Sequence, residues 1–139
     1  MRILIVDDDE SILDFVCEAV ADEGHEALTA TDGAIALDLT RTQPPDLILL
    51  DMRMPIVDGW AFAEAYQARP GPHAPLVVMT AARDAADIAN DIHAAGYLAK
   101  PFALDDLLAV VERFQRRSHV EMQSTRRLQQ QARGDGRHR

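Results

Sequence analysis

The chain is punctuated by short apolar runs that each end in an acid or a hydroxyl. Ile3-Leu4-Ile5-Val6 stops at Asp7-Asp8-Asp9, Leu47-Ile48-Leu49-Leu50 at Asp51, and Leu76-Val77-Val78-Met79 at Thr80. An unbroken apolar run of this length, without alternation, suits a strand buried on both faces, as in a parallel sheet. Pro44-Pro45 bars a helix from entering the second run, and Met52-Arg53-Met54-Pro55 with Asp58-Gly59 ends it in a loop. Two weaker strands complete the set. Glu26–Ala30 is of mixed polarity, which places it near a sheet edge, and Tyr97-Leu98-Ala99 is brief and broken by Lys100-Pro101-Phe102.

Helical spacing fills the intervals. Over residues 11–23, Ile12, Phe15, Val16, Ala19 and Val20 fall at i, i+3, i+4, i+7 and i+8, one face of a helix, and Gly24 is placed to end it. A second helix is expected over residues 34–42, with Ile35, Leu37 and Leu39 spread around it and no clear face. A third covers about Gly59–Ala68, with Phe62, Ala63 and Tyr66 toward the core. A short fourth fits residues 84–92. The last starts near Ala103, with Asp105 and Asp106 favourably placed at the positive end of its dipole and Leu107, Leu108, Val111 and Phe114 as its apolar face. Beyond Phe114 the periodicity fades into a Gln- and Arg-rich stretch.

Strands alternating with helices five times imply a parallel sheet covered on both sides. Right-handed crossovers then bring the C-terminal ends of the strands to one edge, where open α/β sheets place their ligands. That edge collects Asp7, Asp8, Asp51, Thr80 and Lys100. Three carboxylates in one pocket repel: each close pair costs about 4 kcal/mol at about 4 Å and an effective dielectric near 20. Such a site raises a carboxylate pKa or holds a cation. Oxygen ligands without His or Cys point to a hard ion, Mg²⁺ by preference. A metal beside a lysine and a hydroxyl makes a phosphoryl site, with Asp51 as the nucleophile whose product is an acyl phosphate. Residue by residue, blander readings compete. Asp51 could cap a turn, Asp7–Asp9 could cap a helix, Thr80 could simply favour a strand, and Lys100 could be solvated. They do not account for the convergence.

Composition narrows the class. A chain of 139 residues with 47% hydrophobic and 27% charged residues is one globular domain, and no apolar run approaches a membrane helix of about 20 residues. The N-terminus reaches acid at Asp7, too soon for a signal peptide. The lone Cys17 makes no internal disulfide and no cysteine metal cluster. Together these favour the cytoplasm. Residues 1–115 carry 7 Lys+Arg against 21 Asp+Glu, a net −14, whereas residues 116–139 carry 7 Arg against 2 acids, a net +5. The acidic body repels nucleic acid, so no direct DNA binding is expected, and no membrane partner either. The basic end reads as a solvated tail. His25, His73, His93, His119 and His138 show no ligand spacing. Cys17 reads as semi-buried, and Trp60, opening the third helix, as packed or as a partner contact. No glycine-rich nucleotide loop is present, so ATP is not expected as a cofactor.

Four motifs in order carry a family resemblance: Ile3-Leu4-Ile5-Val6-Asp7-Asp8-Asp9, Leu49-Leu50-Asp51-Met52-Arg53-Met54-Pro55 with Asp58-Gly59, Val78-Met79-Thr80-Ala81, and Tyr97-Leu98-Ala99-Lys100-Pro101-Phe102. With them the chain resembles the receiver domain of two-component response regulators, over residues 1–117, with residues 118–139 as a basic tail, an extended helix or disordered. The resemblance implies a flavodoxin-like, doubly wound sheet in order 2-1-3-4-5 with five helices. It implies that Asp51 takes a phosphoryl group from the phosphohistidine of a histidine kinase or phosphotransfer protein, and that phosphorylation alters binding to a downstream protein. Asp8, Asp51 and the backbone carbonyl of Arg53 would hold Mg²⁺ directly, and Asp7 through water. Thr80 and Lys100 would contact the phosphoryl group, Tyr97 would turn inward as a switch, and the Lys100-Pro101 bond would be cis. Such a domain catalyses only its own phosphorylation and dephosphorylation. Arg53 and Ala82 would flank the path of the attacking water, and Asp9 is carried over to nothing.

Two departures qualify the partner surfaces. The stretch from Thr80 to Lys100 is roughly two residues shorter than the family pattern, so the fourth helix should be about two turns long, with His93 where a helix-ending glycine is expected. It belongs to a face that many receivers use for dimers and outputs, so a homodimer is a possible but unassigned partner. No output domain follows, which fits a single-domain regulator or a piece of a longer chain. Two other readings stand beside this one. One is an aspartate-nucleophile phosphatase using Asp7 and Asp9, disfavoured by Ser11 where such enzymes prefer Thr or Val and by the lack of a substrate cap. The other is a receiver-like scaffold that never takes phosphate.

Overall fold

The structure is a computed structural model that describes residues 1–81 and 83–116. The tail from residue 117 onward, expected as an extended helix or disordered, and Ala82 lie outside the described residues. Strands β1 (Arg2–Val6), β2 (Glu26–Ala30), β3 (Leu47–Asp51), β4 (Leu76–Ala81) and β5 (Gly96–Lys100) alternate with helices α1 (Glu10–Asp22), α2 (Gly33–Thr42), α3 (Gly59–Ala68) and α4 (Ala85–Asp91). Residues 104–116 form a further helix, α5. The strands make one parallel sheet in the order β2-β1-β3-β4-β5. The mixed-polarity β2 is at an edge, as its pattern indicates.

The unbroken apolar runs are explained by burial on both faces. Side chains alternate across a strand, so Ile3, Ile5, Leu47, Leu49, Val77 and Met79 meet α1 and α5 on one side. Leu4, Val6, Ile48, Leu50, Val78 and Leu76 meet α2, α3 and α4 on the other. Phe62, Ala63 and Tyr66 of α3 are buried as their spacing indicates, and Cys17 is half-buried. Helix α2 keeps Ile35 exposed and buries Ala36 and Thr40, in line with its undefined apolar face.

Helix α1 departs from its expected face. Leu13, Val16, Ala19 and Val20 are buried, while Phe15 is 41% exposed and Ile12 half-buried. The 3.6-residue period fits either stripe, because both share Val16, Ala19 and Val20. Packing against the sheet selects the one with Leu13. Phe15 is turned to the seam with the β5–α5 connection, where its ring lies 6.3 Å from that of Phe102.

Helix α4 is two turns long, as the shortened interval requires. It closes in a Schellman turn: Ala94 N–H reaches Ala89 O at 2.8 Å and His93 N–H reaches Asn90 O at 3.3 Å. His93 takes the left-handed position with φ 56°. A side chain with a Cβ is strained there by about 1–2 kcal/mol. His93→Gly is therefore expected to stabilise the protein by about 1 kcal/mol, read as a raised urea midpoint; an unchanged or lowered midpoint would contradict the strain.

Candidate phosphoryl and metal site

Parallel register brings the strand ends level. Val6 lies opposite both Ala30 and Leu50, Asp51 opposite Met79, Thr80 opposite Ala99, and Ala81 opposite Lys100. Asp7 extends the ladder by one bond, its N–H donating to Ala30 O at 3.1 Å. The polar residue closing each apolar run thus emerges on one edge of the sheet. Asp7 is fully buried, Asp51 and Thr80 are each 6% exposed, and Asp8 is exposed. Carboxylate oxygens of Asp7, Asp8 and Asp51 lie within 4.8 Å of one another.

Lys100 ties the cluster together. Its Nζ stands 2.8 Å from Asp7 Oδ2 and 3.4 Å from Asp51 Oδ1, with its side chain 25% exposed. The second oxygen of Asp7 accepts the Asp9 N–H at 2.9 Å. Burial pushes Asp51 up to a pKa of about 6, with the Asp7 carboxylate adding to the rise and Lys100 and the Arg53 N–H opposing it. For Lys100, burial works against the ammonium, but its hydrogen bond to Asp7 and the charge of both carboxylates outweigh that and raise its pKa. With all three carboxylates ionised, one ammonium leaves the pocket two charges negative. A divalent cation removes that excess, and an all-oxygen donor set suits Mg²⁺ rather than a thiophilic metal.

Asp9 stands apart. Its Oδ1 accepts from Ser11 N at 2.9 Å and Ser11 Oγ at 2.6 Å, capping α1, and these bonds lower its pKa. That role takes Asp9 away from the acid pair required by the phosphatase reading. Tyr97 is 49% exposed. The Lys100-Pro101 bond is cis. Arg53 is exposed beside Asp51. Trp60 is 41% exposed at the start of α3. His25 is buried against the Met1 amino group at 3.0 Å, and the ring of His73 stands edge-on to Tyr66, so neither joins the cluster.

Two glycines fix the loop after Asp51. Gly33 N–H donates to Val57 O at 2.9 Å and Gly59 N–H to Met52 O at 3.1 Å. A Cβ on Gly33 would come 2.5 Å from Val57 O, and one on Gly59 would come 2.6 Å from both Asp51 O and Met52 Cα. Asp58 caps α3 through Ala61 N at 2.9 Å. From the sequence, Asp32-Gly33 reads as a turn into α2 and Asp58-Gly59 as a loop end and a motif position. Gly33 meets Val57 across 24 positions of chain and Gly59 meets Met52 across seven, and no local pattern marks which carbonyl each approaches.

A family model for the response regulator receiver domain matches residues 3–112. Response regulator MprA of Mycobacterium avium is 36% identical over 123 residues, covering 87% of this chain and 54% of that protein. The chain therefore spans about half the length of the curated relatives it matches. Among solved structures, the chemotaxis response regulator CheY4 of Vibrio cholerae superposes with a TM-score of 0.74 at 30% identity, over 81% of this chain and 97% of that one. The receiver domain of NtrX from Brucella abortus gives 0.73 at 34% identity, over 81% and 96%.

Two outcomes follow from the geometry. Gly59→Ala forces the Asp51 loop to shift and is expected to cost about 1–3 kcal/mol in urea unfolding. The second concerns pH. The folded pKa of Asp51, about 6, lies above its ordinary 3.8. Its protonated form is favoured by folding, so this contribution is complete below pH 3.8 and is lost as pH rises through 6. Without divalent ions, wild type should lose about 2–3 kcal/mol across that window relative to Asp51→Asn; parallel pH profiles of the two proteins would contradict it.

Proposed function

The chain belongs to the response regulator receiver domain family, and on that premise we propose that Asp51 is the phosphoacceptor of a two-component phosphorelay. The observation that carries this reading is the cluster itself: three carboxylates with oxygens within 4.8 Å and a lysine bridging two of them. Asp8, Asp51 and the Arg53 carbonyl would hold Mg²⁺ directly and Asp7 through water. When bound, the ion offsets negative charge on the oxygens of the group in transfer.

The donor is a phosphohistidine on a histidine kinase or phosphotransfer protein. An ionised Asp51 oxygen attacks phosphorus, a P–O bond forms and the P–N bond breaks. The electron pair of that bond stays on the departing imidazole, which then takes a proton. A pKa of about 6 leaves Asp51 mostly ionised at neutral pH. Lys100 already touches Asp51 Oδ1 and can take a phosphoryl oxygen. The Thr80 hydroxyl at the neighbouring strand end donates to another. Tyr97, now half out in solvent, turns inward as Thr80 moves, and the altered surface changes binding to a downstream protein or to a second copy. Hydrolysis of the acyl phosphate resets the switch, so the only reactions catalysed are its own. A cytoplasmic setting belongs to this reading because the proposed kinase donor acts there. Among the described residues no helix is long and apolar enough to cross a membrane.

Incubation with a small acyl phosphate and Mg²⁺ should add one phosphoryl group by mass spectrometry. The adduct should vanish in Asp51→Asn and on chelation of the metal. Lys100→Ala should slow its formation by about 100-fold. An equal adduct in Asp51→Asn would overturn the assignment. A pull-down with and without acyl phosphate then tests the switch; identical partners at equal strength would remove its function.

A further inference from the structure

Helix α1 carries Glu10, Asp14, Glu18 and Asp22 at four-residue intervals, all exposed. Side chains four apart stack along one line of a helix, and like charges so placed repel. No basic residue lies in the last turn of α1 to balance its negative dipole end. The carboxylate ridge borders a groove of about 240 Å³ between α1 and α5, rimmed by Glu18 and Asp22 and floored by Phe15, Ala19, Leu104 and Leu108. Phe15 and Leu104 are 41% and 44% exposed there. An apolar floor under an acidic rim suits a cationic segment that also carries an aliphatic side chain.

The chain contains such a segment. Residues 116–139 hold 7 Arg against 2 acids, and Arg126-Arg127-Leu128 sets two cations beside one leucine. Helix α5, which forms one wall of the groove, runs to residue 116, the last described there. Nine residues lie between Arg116 and Arg126, and the ten steps of chain span about 33 Å when extended. Helix α1, with 13 residues, is about 20 Å long. The segment can therefore reach any point of the ridge.

We propose that the basic C-terminal segment docks on its own domain, with Leu128 in the α1–α5 groove and Arg126 and Arg127 against the Glu18–Asp22 ridge. Phe15 is shared with the neighbouring apolar hollow that includes Ile12, Lys100 and Pro101. The pairing is between exposed charges and weakens with salt.

The test uses the full chain with Cys17→Ser and Gln130→Cys, a nitroxide on residue 130, and amide NMR of the folded body. At low salt, signals of residues 15–23 and 104–108 should lose most of their intensity, and high salt should restore them. Arg126→Glu with Arg127→Glu should abolish the loss, and adding Glu18→Lys with Asp22→Lys should bring it back. Should the α1 reversals disturb folding, the arginine reversals alone decide. Undiminished signals at low salt overturn the proposal, as does a loss indifferent to the arginine reversals. Broadening of an isotope-labelled, spin-free chain by an unlabelled spin-labelled one would make the occupant a second copy and would overturn the intramolecular contact.

Discussion

Three carboxylates sharing one ammonium is the constraint on which the rest of this structure turns. At about 4–5 Å and an effective dielectric near 20, each carboxylate pair costs about 3–4 kcal/mol. Lys100 relieves two of the three, at 2.8 Å from Asp7 and 3.4 Å from Asp51. Asp8 faces solvent and keeps its charge hydrated. The residue of that imbalance is visible in the raised pKa of Asp51, set by burial and then by Asp7. A site of this kind is tolerable only on a rigid scaffold, because a free loop would relax by moving the charges apart.

The scaffold supplies that rigidity from both sides. The strands ending at the cluster are buried on each face, so neither can tilt without opening a core. The register that levels their ends follows from the same burial, because a slip of one residue would exchange the two faces. Beyond β3 the loop has no strand to hold it. Gly33 and Gly59 do so instead, letting α2 and α3 approach its backbone where any side chain would collide. The course of the loop through Arg53, whose carbonyl is proposed to hold the metal, is therefore an indirect product of packing on the α2–α3 side.

This division explains what could be read from the sequence. Elements made by periodicity alone were legible: Glu26–Ala30 and Gly59–Ala68 have the bounds their patterns indicate, and His93 occupies the left-handed position left for it by a missing glycine. The convergence of Asp7, Asp8, Asp51 and Lys100 was legible because strand alternation and crossover hand fix one edge. Phe15 was misplaced because two helical stripes share most of their residues and only the sheet chooses between them. The glycine clamps were not legible at all, since Gly33 meets Val57 across 24 positions of chain. Thr80 was brought to the sheet edge by the same strand and crossover argument, whereas Tyr97 took its role from the resemblance alone, and periodicity does not say which way either side chain faces.

That last pair sets the scale of the proposed switch. Thr80 is buried at the end of β4, and Tyr97, opposite Val78, starts with half its surface in water. A hydroxyl bonded to a charged phosphoryl oxygen contributes about 1.5–3 kcal/mol. Burying the remaining apolar part of one aromatic ring adds about 1 kcal/mol. Together these shift a two-state equilibrium by about two to three orders of magnitude, since each tenfold step takes about 1.4 kcal/mol. That raises a minor population of about 1% to between about one half and nine tenths, short of the about 5.5 kcal/mol that a complete inversion takes. The exposed Tyr97 is the outward arrangement from which the proposed switch would start.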